Sequence, residues 1–250
     1  MKVSVCLATY NGQKYIKEQL VSIVSQLSAD DEVIVSDDGS TDDTLAIIAG
    51  FDDKRIRVVH NQTEHGYTPN FENALKHASG DIVVLSDQDD VWMPNKLSII
   101  KKDLAQADMV VSDAEVVDGN LNVISESLWS LSSPYHTFWG NIFRFSYLGC
   151  CMAFRRPVLE VALPFPSRHL MATHDNWLFL VGKSCFKVCF EKEPLIKYRR
   201  HKQNTSTGCW EHAPKSVPFM LKYRAYLMWH ILLRKIRCKS RCKSRADSVM

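Results

Sequence analysis

Residues 81–92 read DIVVLSDQDDVW, an apolar, β-branched run that ends in three carboxylates, Asp87, Asp89 and Asp90, within four positions. An apolar run of this length between polar flanks predicts a buried strand. Carboxylates crowded at the mouth of such a strand repel one another and raise one another's pKa. Two readings account for them. Asp favours turns and the following Met93-Pro94 can open a helix, so DQDD can be a solvated turn. Alternatively, aspartates two apart can place oxygens on a hard cation such as Mg²⁺ or Mn²⁺, which in turn neutralises a diphosphate. Spacing alone leaves both open.

Outward from this stretch, strand-like and helix-length amphipathic segments alternate. KVSVCLA (2–8), DEVIVS (31–36), RIRVVH (55–60), DIVVLS (81–86) and DMVVSD (108–113) are separated by YIKEQLVSIVSQL (15–27), DDTLAIIAG (42–50), NFENALKHA (70–78) and NKLSIIKKDLAQ (95–106). That order predicts an α/β fold with right-handed crossovers and a mainly parallel, Rossmann-like sheet flanked by helices on both faces. Ligands bind such sheets beyond the carboxyl ends of the strands. Polar clusters fall there: TYNG (9–12), DDGSTDD (37–43), HNQTEHG (60–66) and DQDD (87–90). In the second cluster Ser40 or Thr41 is expected to cap a helix whose first turn holds Asp42 and Asp43. The pair Asp37 and Asp38 is left over, and a carboxylate at that strand end could accept hydrogen bonds from a base N–H or sugar hydroxyls.

Beyond residue 113 the alternation dissolves. Asp118-Gly119-Asn120 suggests a hairpin, GCCMAFRR (149–156) a buried strand, and PVLEVAL (157–163) a short helix. HDNWLFLVGK (174–183) predicts a helix entered by Asp175, CFKVCF (185–190) and PLIKYRR (194–200) two strands, and KQNTSTG (202–208) a loop. Residues 218–237 predict one amphipathic helix with Phe219, Tyr223, Tyr226, His230 and Leu233 on a stripe. The expected organisation is two halves of one domain, 1–113 and 114–205, followed by a tail, 206–250.

A chain of 250 residues, 46% hydrophobic and 24% charged, can bury a sizeable core and is not expected to be disordered. The net charge of +3 conceals an asymmetry: residues 215–250 carry ten Lys and Arg against one acid, leaving the preceding 214 with 21 against 27. No apolar run is long enough to span a bilayer and the N-terminus does not resemble a signal peptide, so a cytoplasmic location is expected. Eight cysteines include the adjacent Cys150 and Cys151, a poor arrangement for pairing, and reduced thiols are expected. Cys185 with Cys189 and Cys238 with Cys242 lack a His at zinc-finger spacing. No G-x-G-x-x-G follows the first strand, as a dinucleotide oxidoreductase requires. The basic RKIRCKSRCKSR (234–245) could bind phosphates non-specifically, but the acidic body would repel a nucleic acid, and no nucleic-acid partner is expected.

ATYNG (8–12), VIVSDDGSTDDT (33–44), GDIVVLSDQDDVWMPNKL (80–97), GCCMAFRR (149–156) and THDNW (173–177), in this order, resemble the family 2 glycosyltransferases, nucleotide-sugar enzymes with the GT-A fold. Within that family the chain is similar to bacterial enzymes that build O-antigen, capsule or lipopolysaccharide, rhamnosyltransferases among them. The resemblance implies an inverting, single-displacement transfer of one sugar from a UDP- or dTDP-sugar to a glycan acceptor on a polyprenyl diphosphate, with Mn²⁺ or Mg²⁺. Carried over by position, Tyr10 and Asp38 would contact the nucleotide base, with Thr9 and Asn11 in the same loop. Asp87 would face the ribose, with Gln88 in the same binding set, and Asp89 would ligate the metal while Asp90 shapes the turn. His201 would complete the metal shell or meet the diphosphate. Asp175 would be the catalytic base, or simply a helix cap, and His174 would orient it. Arg199 and Arg200 would steady the leaving phosphates or face outward from a strand. Gly149 and residues 150–153 would line the acceptor side, where Cys151 departs from the small polar residue usual in the family. The Q-x-x-R-W motif of processive members is absent, which implies one sugar per encounter.

The resemblance also frames the tail. Phe219, Tyr223, Trp229, Leu232 and Leu233 stand among Lys222, Arg224, Arg234, Lys235 and Arg237, a mixture that suits a helix lying on an anionic inner-membrane surface. A helix packed on the catalytic domain, or a dimer contact, is the competing expectation. Other classes remain: a sugar-phosphate nucleotidyltransferase, whose early glycine-rich basic loop ATYNGQKY lacks, and a non-catalytic sugar-nucleotide-binding protein.

Overall fold

The computed structural model describes residues 1–201 and 216–247, with side chains through residue 238. The expected loop at 202–208 and the side chain of Cys242 lie outside the described residues. The first half contains β1 (Val3–Thr9), α1 (Ile16–Val24), β2 (Glu32–Asp37), α2 (Thr44–Ala49), β3 (Ile56–His60), α3 (Tyr67–His77) and β4 (Ile82–Ser86). These strands pair in parallel in the order β3-β2-β1-β4. Chain order thus reverses between β1 and β4, which opens a crevice at their carboxyl ends.

The remainder comprises β5 (Val91–Trp92), α4 (Lys96–Asp103), β6 (Met109–Val117), β7 (Val123–Ser125), α5 (Leu128–Ser132), α6 (Phe138–Phe143), β8 (Met152–Arg155), α7 (Arg156–Ala162), α8 (His174–Cys185), β9 (Val188–Arg199) and α9 (Val217–Asp247). It extends the same sheet but mixes its directions. β8 inserts antiparallel between β4 and β6, β9 runs parallel to β6, and β5 closes the edge antiparallel to β9.

Four local expectations are corrected. Only the last three residues of CFKVCF are strand, Cys185 ending α8, and they run on with PLIKYR as one strand, β9, in which the register slips between Ser112, paired with Glu191, and Asp113, paired with Pro194. The slip absorbs two residues next to a proline that cannot donate to the ladder. GCCMAFRR opens as a 3-10 turn at Gly149–Cys151 before β8. Neither Ser40 nor Thr41 caps α2, which follows Asp43. Ser40 instead closes the turn after β2, its hydroxyl donating to Asp37 Oδ1 at 2.5 Å while its N–H and that of Gly39 donate to Oδ2 at 3.1 Å. Gly39 supplies the positive φ of 87° that this turn requires. Finally, the N-terminal cap position of α8 is Thr173 and not Asp175. The hairpin at Asp118 forms as expected, with Asp118 Oδ1 accepting from the N–H groups of Asn120 and Asn122.

Alternation along the strands builds a core on each face of the sheet. On one face Val83 and Leu85 join Phe71 and Leu75 of α3, Leu159 of α7, Trp177 of α8 and Leu227 and Ile231 of α9. On the other, Ile82 and Val84 join Ile16 and Leu20 of α1, Ile48 of α2 and Leu97 and Ile100 of α4. The tail helix therefore packs on the domain. Leu227, Ile231 and Cys238 are buried, whereas Leu233 of the expected stripe is exposed. No helix among the described residues is long and apolar enough to cross a membrane, and the six described cysteines are free thiols.

Candidate functional site

Parallel register brings the carboxyl ends of the first strands side by side, pairing Thr9 with Asp37 and Leu7 with Ser86. Gln88 then bridges the crevice between β1 and β4. Its Oε1 accepts from Thr9 Oγ1 at 2.7 Å and from the Tyr10 N–H at 2.9 Å, and its Nε2 donates to the Tyr10 carbonyl at 3.1 Å. Gly12 makes room for this bridge, since a Cβ there would clash with Gln88 Oε1. Asn11, held at φ 48°, links the same loop to the turn after β2: its N–H donates to Ser40 Oγ and its Oδ1 accepts from the Thr41 N–H. Tyr10 is 44% exposed, with its ring edge-on to His65 at 4.7 Å. Asp38 is buried and accepts from Asn61 Nδ2 at 2.6 Å and the Gly66 N–H at 2.8 Å, with His65 Nδ1 also at 2.8 Å. Asp37 is occupied by its own turn, so the two aspartates differ in role.

At the DQDD turn the three carboxylates are unequal. Asp90 is buried; burial, then Asp89 and Asp87, push its pKa well up, and its Oδ1 accepts from the Arg199 N–H. Asp87 is pushed up to about 7 by burial and then by Asp89, against the opposing charge of Lys96. Lys96 itself is buried, 4.7 Å over the Trp92 ring, and donates to the Cys150 carbonyl at 2.9 Å. Asp89 reaches His201, 112 residues away in sequence, with Oδ2 2.8 Å from Nε2. At this separation the carboxylate oxygen and the imidazole nitrogen are in hydrogen-bond contact, and the same two groups could hold one cation, the imidazole suiting Mn²⁺ better than Mg²⁺. Among the described residues, Asp87, Asp90 and Cys150 also place ligand-type atoms within 4.8 Å of one another.

Asp175 lies in the first turn of α8, immediately after His174. Its Oδ1 accepts from Thr173 Oγ1 and from the Asn176 N–H at 2.7 Å. Its charge is felt at Asp87, after burial and Asp89. It is felt also at Tyr67 and at Tyr223 of α9, whose phenols burial pushes up, Tyr223 to about 12. Tyr223 accepts from Asn176 Nδ2 at 2.7 Å, so the tail helix braces the residue next to Asp175. His174 is buried, stacked on Phe71 at 4.1 Å and edge-on to Tyr67 at 5.8 Å, and burial lowers its pKa. It is a packing partner beside Asp175.

Arg199 does not face outward. Its side chain is 2% exposed and lies beneath the DQDD turn. Lys96, Glu18 and Tyr15 escape a reading of the sequence, because each sits in an ordinary helix pattern whose neighbours only the fold supplies, and for Arg199 the sequence offers only the phosphate or outward-facing readings.

Residues 4–163 match the model of glycosyl transferase family 2. The chain belongs to this family. It is 27% identical over 180 residues to an Escherichia coli enzyme, UDP-Glc:alpha-D-GlcNAc-diphosphoundecaprenol beta-1,3-glucosyltransferase, covering 71% of this chain and 68% of that one. It is 26% identical over 235 residues to a dTDP-rhamnosyl transferase of Shigella flexneri, covering 87% and 77%. Against an uncharacterized glycosyltransferase of Nostoc sp. it is 27% identical over 214 residues, covering 82% of this chain and 66% of the other. The chain thus spans about two-thirds of the length of several relatives. In three dimensions it resembles S. aureus TarS 1–349 in complex with UDP-GlcNAc, with TM-score 0.71 at 22% identity over 93% of this chain and 67% of that one. A mannosyltransferase from Pyrobaculum calidifontis in complex with GDP-Man and Mn²⁺ gives TM-score 0.59 at 20% identity, over 98% and 75%. The fold is GT-A.

Proposed function

We propose that this chain is an inverting, cation-dependent glycosyltransferase that moves one sugar from a nucleoside-diphosphate sugar to a glycan acceptor in bacterial surface polysaccharide synthesis. The observation that carries this is the Asp89–His201 pair at the carboxyl end of β4, 2.8 Å apart, in the crevice that also carries Tyr10 and Asp38. Residues 1–113 form the donor half, 114–205 the acceptor half, and 206–250 the tail. Tyr10 offers a ring face to the base, Asp38 and Asp87 hydrogen-bond the nucleoside, and Thr9, Asn11 and Gln88 hold that loop in shape. Gln88 acts through the Tyr10 backbone. Asp89 and His201 would hold Mn²⁺ or Mg²⁺, which supplies charge neutralisation to the departing diphosphate. Asp175 accepts the proton of the acceptor hydroxyl as that oxygen attacks the anomeric carbon opposite the leaving group. Thr173 and the Asn176 N–H fix the Asp175 carboxylate by Oδ1. The bond from the anomeric carbon to the diphosphate breaks as the new glycosidic bond forms.

The relatives that name an undecaprenol-linked acceptor support a lipid-linked acceptor for this chain, and hence work at the cytoplasmic membrane surface. The structure revises which residues would meet lipid. Tyr223 points into the domain, whereas Leu221, Trp229, Leu232, Leu233 and Ile236 are exposed on α9. These apolar side chains among basic ones suit an interfacial helix. The function is tested by incubating the full chain with a panel of UDP- and dTDP-sugars and undecaprenyl-diphosphate-linked acceptors, with Mn²⁺, with Mg²⁺ or with EDTA. Cation-dependent transfer from one donor is expected. Binding of a sugar nucleotide without turnover under every condition would favour a non-catalytic role.

A further inference from the structure

The candidate metal pair is built from two distant segments, and one buried side chain joins them. Arg199 is the last residue of β9, two positions before His201. Its Nε donates to the Asp89 carbonyl at 2.8 Å, its Nη1 to the Gly119 carbonyl at 2.9 Å, and its Nη2 to Glu18 Oε2. Its backbone N–H donates to Asp90 Oδ1 at 3.1 Å. The guanidinium lies 4.5 Å from the centroid of the Tyr15 ring, and that ring lies 4.9 Å from the ring of His201. One planar fork therefore ties together the turn that carries Asp89, the tip of the hairpin after β6, and α1, while its neighbouring aromatic ring lies against the second metal candidate.

A guanidinium at this depth is costly unless its donors are met, and three nitrogens pointing to three different elements give a geometry that lysine cannot copy. One of these hydrogen bonds goes to the main-chain carbonyl of Asp89 and so fixes the turn that carries its carboxylate. Groups of this kind, one step removed from a metal, orient its ligands.

We propose that Arg199 is a positioning residue that presets Asp89 and His201 for the cation, with Glu18 as its anchor on α1. This rests on the assignment of Asp89 and His201 as metal ligands. Its own content is that cation affinity, and not only folding stability, depends on a guanidinium that touches no substrate.

The test is Mn²⁺ binding to the full chain, read from the loss of the free-ion EPR signal, with and without uridine diphosphate. R199K is expected to weaken Mn²⁺ binding by about 10- to 100-fold, the usual cost of disturbing a ligand's supporting contact. E18Q keeps an acceptor but loses charge, and should shift affinity in the same direction by a smaller factor of at least about 3. Arg156 is the control, because it donates to the Ala78 and Gly80 carbonyls away from the crevice. R156K should lower the melting temperature and leave Mn²⁺ affinity unchanged. If R199K does not fold, E18Q decides. Wild-type Mn²⁺ affinity in R199K, or in E18Q where R199K is lost, overturns the proposal while the metal assignment stands. Absence of saturable Mn²⁺ binding in the wild type, matched by D89A, overturns both together.

Discussion

Gly149→Ala places one methyl group against the helix that carries Asp175. Its Cβ would stand 2.5 Å from His174 Nε2 and 3.0 Å from Cδ2. Ordinary contact between such atoms is about 3.5 Å, so the ring must retreat by about 1 Å. It has little room to do so. Phe71 stacks on it at 4.1 Å and Tyr67 closes the edge at 5.8 Å, while the His174 backbone N–H donates to Thr68 Oγ1 at 3.3 Å. Overpacking of this kind costs about 1–3 kcal/mol, which lowers the melting temperature by about 2–12 °C for a domain of this size. A comparable displacement of Asp175 is expected to slow transfer by up to about 100-fold. Scanning fluorimetry and sugar transfer are measured on wild type, G149A, H174A and G149A/H174A. Removing the imidazole relieves the clash, so G149A should cost at least about 1 kcal/mol less in the H174A background. Equal penalties in both backgrounds, or a G149A enzyme that melts and turns over like wild type, would refute the reasoning.

Three further outcomes are expected. Asp89→Ala should abolish the cation-dependent part of nucleoside-diphosphate binding in calorimetry while the melting temperature holds, and affinity indifferent to EDTA in the wild type would remove the metal assignment. Glu32 gives a pH signature far from the crevice: burial raises its pKa, but hydrogen bonds from Ser4 and Ser79, with Lys2, outweigh this and hold it at about 2. A depressed carboxylate stabilises the fold above its ordinary value near 4.5 and loses that contribution as pH falls toward 2. After allowance for solvent screening, denaturant melts should show about 1–2 kcal/mol lost over that window, and a flatter profile in E32Q. Replacing Trp229, Leu232 and Ile236 by Ser should release the chain from anionic vesicles without unfolding it, since all three are exposed; equal recovery of variant and wild type in the supernatant would reject docking by this face.

The first half of the fold was legible because each of its strands is a short run rich in β-branched residues followed by a polar cluster, and helix-length amphipathic segments separate them. β8 and β9 were not placed, since insertion of β8 between β4 and β6 is a non-local choice that no periodicity encodes. β9 was divided because the Glu-Lys-Glu-Pro interruption reads as a loop, although its partner β6 tolerates the slip. At the crevice, carboxylate crowding singled out the DQDD turn, and the structure adds His201 2.8 Å from Asp89. Why Asp37 precedes Asp38 is answered only by the turn geometry that occupies Asp37. Lys96 is invisible as a site residue, and the burial of Arg199, which the sequence offers only as a phosphate or outward-facing candidate, is not legible, because a cation in an amphipathic helix or an alternating strand is ordinarily exposed. Their burial is set by Trp92, the Asp118 hairpin and α1, which lie far away in sequence.

The central claim is that Asp175 takes the proton from the acceptor hydroxyl. Asp175→Asn keeps the shape and, through its remaining carbonyl oxygen, an acceptor for Thr173 and the Asn176 N–H, but it cannot accept that proton. The deciding measurement is single-turnover transfer by wild type and D175N, with donor affinity measured on the same preparations. Donor affinity close to wild type with transfer reduced by about 10²- to 10⁴-fold is the predicted result, and transfer by D175N at a near wild-type rate would contradict the account.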